Sequence, residues 1–168
     1  GSTSALLGAA PDLAAITDSY RTNGHGTSLV FKASCSFATS NNAWLRLTTS
    51  GTATLPNPVI DFRKKLRFDV YCDKPVLIGI GCRETATAAG TAIGSNGGTT
   101  GGIEWVGVTN VIGGAPVPHR AILASNWTTV EFDLTQEPVA NFSGGNGVLA
   151  TTSGLGVLEH VAVVPGNA

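Results

Sequence analysis

Asp61, Asp69, Glu84, Glu104, Glu131, Asp133 and Glu159 are the carboxylates that fall on or beside β-like segments of this chain. Glycoside hydrolysis would need two of them facing one cleft at roughly 5–10 Å. Asp69 lies on an outward strand phase, Glu84 closes the next strand and Glu104 follows a long loop, so a pair stays open. Each of the seven is equally suited to be a solubilising surface charge. No G-x-S-x-G elbow offers a serine nucleophile. His25, His119 and His160 are far apart, without the close spacing that a metal site built on histidines requires. Cys35, Cys72 and Cys82 include no C-x-x-C pair, so zinc is not expected. If Lys74-Pro75 turns a hairpin, Cys72 sits near its tip and Cys82 well down the return strand, too far apart to bridge. Buried free thiols are the expectation, with a bridge through Cys35 as the alternative. Nothing resembles a P-loop or a dinucleotide fingerprint. No catalytic residue, metal ligand or cofactor is assigned.

Sugar binding asks for less. A pyranose ring stacks an apolar face on an exposed aromatic ring, and its hydroxyls pair with planar polar side chains. The chain has only 3 Trp, 2 Tyr and 6 Phe, so the phase of each ring is informative. Phe31, Phe37, Phe68 and Phe132 fall on inward phases, and Trp127 heads a strand whose alternation gives it a packing role. Trp44 shares an outward phase with Arg46, and Tyr71 shares one with Arg67 and Asp69. Arg83 stands where a strand feeds the long loop, and Glu104-Trp105 stand where that loop ends. The expected ligand-binding set is therefore Trp44, Arg46, Tyr71, Arg83, Glu104 and Trp105, the rings as platforms and the charged groups as hydrogen-bonding partners. Two architectural readings compete with it. The set could be a plain outer sheet face with a Trp capping its edge, and Arg83 with Glu104 could be a buried ion pair fastening the long loop.

Strands must carry these positions. Residues 1–17, with Pro11 and several alanines, read as an irregular arm or a short helical turn. Ser28–Phe37 alternates as a strand, Asn41-Asn42 breaks it, and Trp44–Thr49 is the next, followed by a loop over Gly51–Pro58. Leu66–Cys72 places Leu66, Phe68 and Val70 on one side. Val76–Glu84 returns with Val76, Ile78, Ile80 and Cys82 on one face, the strongest hairpin signal in the chain. Thr85–Gly102 is eighteen residues with almost nothing apolar to bury, a length uncommon unless the loop is functional or mobile. Ile103–Val108, Arg120–Ala124, Thr128–Leu134 and Leu155–Val164 complete the strands, with turns at Gly113–Pro118 and Phe142–Gly147. Eight or nine strands in one domain over 1–168 predict an all-β fold, a two-sheet antiparallel β-sandwich or jelly roll.

Three stretches carry a resemblance: Asn57–Glu84 (NPVIDFRKKLRFDVYCDKPVLIGIGCRE), Trp127–Leu134 (WTTVEFDL) and Gly156–Pro165 (GVLEHVAVVP). With Trp44–Thr49 they resemble the non-catalytic jelly-roll modules, carbohydrate-binding or galactose-binding-like, of secreted bacterial polysaccharide-degrading and cell-surface proteins. The resemblance implies a glycan ligand and a secreted or surface location. Such modules commonly finish with a further strand bearing an aspartate, often a calcium ligand. The chain stops at Pro165-Gly166-Asn167-Ala168, so a structural calcium has no ligands to name here. The N-terminal arm would fill that place, or the edge would stay open to pair with another chain.

Composition narrows the partners. Charged residues are 12% of the chain against about 25% for an average domain, while Gly, Thr and β-branched residues suit pleated surfaces and tight turns. The net charge of −1, with no basic run longer than Arg63-Lys64-Lys65, argues against nucleic acid. No apolar run reaches the ~20 residues that span a bilayer, and the start carries no signal-peptide pattern. The expected function is a non-catalytic polysaccharide-binding module of a secreted or surface protein. The alternative is a structural subunit of an extracellular filament, surface layer or capsid that self-associates through an open sheet edge.

Overall fold

The computed structural model describes residues 12–17, 29–37, 43–49, 52, 54–85 and 98–166. Every regular element among them is a strand. In chain order these are β1 (Asp12–Thr17), β2 (Leu29–Ser34), β3 (Leu45–Thr48), β4 (Val59–Asp61), β5 (Lys65–Val70), β6 (Val76–Arg83) and β7 (Ile103–Val106). There follow β8 (Val108–Ile112), β9 (Ala115–Pro118), β10 (Arg120–Ile122), β11 (Thr128–Asp133), β12 (Val139–Ser143) and β13 (Leu155–Pro165).

The largest sheet is antiparallel and runs β12-β7-β6-β13-β3. β10 takes over from β7 beside the first half of β6, and β4 lies beside the start of β13. β5 and β11 form a separate two-stranded ribbon, as do β8 with β9 and β1 with β2. The ribbon of β5 and β11 packs face to face on the large sheet. Its Leu66, Phe68, Val130 and Phe132 meet Ile78, Ile80 and Cys82 of β6, with Val106 and Ile122 beside them. Phe68 and Phe132 stack at 6.1 Å. Period-2 alternation explains the arrangement, because each ribbon strand offers one apolar face and buries it here.

The predicted hairpin between Leu66–Cys72 and Val76–Glu84 is replaced by an arch. β5 pairs with β11, and β6 pairs with β13, β7 and β10. Alternation fixes which face of a strand is apolar, but it does not say whether two such faces lie side by side or opposite. With both strands strongly one-sided, the arch sets their apolar faces against each other across the core. The arm reading changes as well, since Asp12–Thr17 is strand β1, in register with β2 from Asp12↔Ser34 to Thr17↔Leu29. A six-residue ladder satisfies its backbone without the nucleation cost of an isolated helical turn. Residues 1–11, the Asn41-Asn42 break and the loop between 86 and 97 lie outside the described residues.

The strand count exceeds the predicted eight or nine because β1, β4 and β12 are added and because two further strands, β8 and β9, arise for local reasons. Ile103–Val108 is divided at Gly107, whose φ is 73°. The segment read as a turn from Gly113 is the return of a hairpin. There, Gly113 and Gly114, at φ 58° and 85°, form the two-residue loop joining β8 to β9, the positive-φ turn that suits strand twist. All three cysteines are unbridged. Cys82 is fully enclosed, and burial pushes its thiol pKa up.

Candidate functional site

The other face of the large sheet carries three of the six expected residues, Trp44, Arg46 and Trp105. In β6, Ile78, Ile80 and Cys82 point to the core, so Gly79 and Gly81 fall on the opposite face. Neither contributes a side chain to the middle of the sheet. A Cβ on Gly81 would lie 2.7 Å from the Cβ of His160 and 2.9 Å from its ring. Glycine here leaves room for groups from the flanking strands: Trp105 of β7, His160 and Ala162 of β13, and Arg46 and Thr48 of β3. On a flat sheet β12 and β3 would stand about 19 Å apart, four strand spacings. Yet the Arg46 guanidinium of β3 lies 5.4 Å from the ring centre of Phe142 on β12. Inward-reaching side chains close most of that span, so this face, the trough, is filled largely by packed rings.

Rings line the trough. Trp105 meets Trp44 edge-on at 5.8 Å and lies 4.7 Å from Phe142, and His160 touches both Trp105 and Phe142 at 5.8 and 5.7 Å. His160 Nδ1 is 3.0 Å from the Thr48 hydroxyl. A register shift between Leu158 and His160 leaves Glu159 as the extra residue of a bulge. Such a bulge re-aims neighbouring side chains. Glu159 grips Arg83 through two hydrogen bonds, one from Nη2 at 2.7 Å and a shorter one from Nε. Its Oε1 lies 3.4 Å from His160 Nε2. Burial holds the His160 pKa down at about 4, so the ring is neutral at pH 7.

The structure divides the six expected residues. Trp44, Arg46 and Trp105 do converge on one face. Trp44 and Trp105 are only 4% and 0% exposed, however, which corrects their expected role as open stacking platforms. Outward phase on this sheet means a second packed face, since Val108, Ala115 and Ala162 close around the two indoles. Tyr71 is elsewhere, just beyond β5, half-buried and 5.8 Å from Trp127. Arg83 and Glu104 do not pair with each other. Arg83 binds Glu159 and donates from Nη1 to the Gly101 carbonyl at 2.8 Å, so it does fasten the end of the long loop. Glu104 shares the core side of β7 with Val106 and is fully buried. Its Oε1 accepts the amides of Asn146 and, at 2.9 Å, Gly147.

Glu84 follows β6 on that same side and accepts the Ala150 amide at 2.7 Å. Burial raises its pKa, with the charge of Glu104 adding to the shift. The two carboxylates thus clamp the 146–150 loop from below. A cleft of about 550 Å³ opens near this loop between Phe62, Leu134, Val139 and Leu149. The charged residues on its wall are engaged, Arg63 with Asp61 and Glu137 with Arg120 and His119.

Phe142, Glu159, His160 and Thr48 were not anticipated as parts of the trough. Phe142 sat in what read as a glycine-rich turn, and the bulge at Glu159 interrupts the parity that would have placed His160. Two glycines on one phase, Gly79 and Gly81 within an apolar strand, are the available signal of a close approach. On this face two buried donors, Arg46 Nε and Trp105 Nε1, have no acceptor among the described residues. A buried polar group left in that state costs about 1–3 kcal/mol, and native structures hold few of them. No protein family model, curated protein or solved structure matches this chain.

Proposed function

We propose that this chain is a non-catalytic glycan-binding module of jelly-roll type, belonging to a secreted or surface protein, and that the trough is its binding face. The observation that carries the reading is the pair of buried donors, Arg46 Nε and Trp105 Nε1, without acceptors among the described residues and both beside Phe142. A polyhydroxylated ligand is rich in acceptors and would meet the half-buried Arg46 from solution, while Trp105 stays enclosed beneath it. Arg46, Phe142 and Thr48 are half-buried and form the rim such a ligand would meet first. Trp44 and Trp105 then shape the floor beneath that rim and do not stack on sugar rings. Affinity at one such site would be modest, micromolar to millimolar, about −4 to −8 kcal/mol. Affinity electrophoresis in gels containing soluble polysaccharides tests the reading. Retention that Arg46→Met reduces supports it, and free migration in every polysaccharide overturns it.

A second reading, a structural subunit that completes its sheet with a neighbouring chain, draws on a different observation. Among the described residues neither β5 nor β11 has a second neighbour, so the ribbon offers two unpaired edges. Size-exclusion chromatography with light scattering separates the two readings. High-mass polymer favours the subunit, and a sharp monomer favours the module.

A further inference from the structure

The described residues include five arginines, and four of them are held by a carboxylate: Arg63 by Asp61, Arg67 by Glu131, Arg83 by Glu159 and Arg120 by Glu137. The fifth, Arg46, has no carboxylate partner and no hydrogen bond among the described residues; its guanidinium lies over the face of Phe142 and close enough to His160 to act on its charge. The other charges nearby do not neutralise it. Glu159 is committed to Arg83 through both of its oxygens, and neutral His160 adds no charge at pH 7. Among the described residues, Arg46 is thus the arginine on this face with no acid beside it, and its Nε is buried with no acceptor among them.

From this arrangement we infer that the module selects acidic glycans, polymers of uronic acids, with Arg46 binding the sugar carboxylate. The inference rests on the glycan-binding reading and deepens it. A carboxylate matches the planar fork of a guanidinium, taking two parallel hydrogen bonds that a neutral hydroxyl cannot supply. Phe142 holds the fork from behind by its ring face, which fixes its plane before the ligand arrives. Trp105, fully enclosed, packs against the same Phe142 ring and backs it from the floor. Lysine would keep the charge but lose the fork, so Arg46→Lys is informative as well as Arg46→Met.

The test is affinity electrophoresis of the whole chain against four soluble polymers: polygalacturonate, alginate, neutral dextran and dextran sulfate. Near-UV circular dichroism establishes that each variant keeps its tertiary packing. The wild type is expected to be retarded by at least one polyuronate and to run freely in dextran. Arg46→Met should weaken that retention at least tenfold, with Arg46→Lys between the two. Equal retardation in dextran sulfate would reduce the effect to contact with any polyanion and overturn the inference. Arg46-dependent retention in dextran, without retention in polyuronates, would also overturn it while leaving the glycan-binding reading standing. Free migration in all four polymers would remove both.

Discussion

Two charged surfaces of this molecule are built in opposite ways. On the outer face of the β5–β11 ribbon, Lys65 and Arg67 both reach Glu131 at 2.7 Å, and Asp69 accepts from Thr129 at 2.6 Å. The cross-strand register sets Arg67 opposite Glu131 and Asp69 opposite Thr129, with Lys65 diagonal to Glu131, so opposite charges meet at a water-exposed surface. In the trough the strands carry Arg46 with no acid opposite, over a floor of buried rings and beside a neutral histidine. Paired charges on an exposed ribbon keep a surface soluble and contribute little else. On the proposed reading, a charge with no acid beside it among the described residues, set against a packed aromatic floor, is where an outside acceptor would dock.

The largest effect expected from breaking this contrast is at the floor. Trp105→Ala removes a fully enclosed ring that touches Trp44, Phe142 and His160, and should cost about 3–5 kcal/mol in urea denaturation. A loss below 1 kcal/mol would mean that the floor is not packed as described. Next in size is Glu159→Gln, which strips the charge from the partner of Arg83 in a pair that is 16% and 9% exposed. Breaking a buried pair from one side typically costs about 3–5 kcal/mol, at the lower end here because Gln retains one acceptor. The matching change on the ribbon, Glu131→Gln, should leave the denaturation midpoint where it is.

The smallest effect is a pH dependence. His160 has a pKa of about 4 in the folded chain, against 6.5 for a free imidazole. Between those values the unfolded chain takes the proton first, so stability should fall as pH drops from about 6.5 toward 4. Glu84 works the other way. Its pKa is raised above 4.5, so its contribution falls as pH rises through the folded value. The difference between wild type and His160→Gln therefore isolates the histidine. Thermal midpoints at pH 7, 6 and 5 should separate less for the variant than for the wild type, and parallel curves would refute the assignment.

How far these features were readable depended on the kind of information each needed. Strand identity was local: the alternation of Leu66, Phe68 and Val70, or of Val130, Phe132 and Leu134, marks one apolar face wherever the strand goes. Partner choice was not local, and so the arch between β5 and β6 looked like a hairpin. The shared face of Trp44, Arg46 and Trp105 was legible from parity, but parity does not say whether a face meets water or more protein. Their burial was therefore out of reach, as was the switch of partner from Glu104 to Glu159 for Arg83. That switch depends on one extra residue in β13, which no periodicity announces.

β13 also has a consequence for how the chain reaches its fold. It lies between β6 on one side and β3 and β4 on the other, yet its residues come later in the chain than all of theirs. During synthesis, β3, β4 and β6 leave the ribosome long before the strand that joins them. Until residue 165 emerges, the nascent sheet is two halves with a missing centre and bare apolar edges. A sheet of this order should fold slowly, because its central pairings wait for β13 to be made.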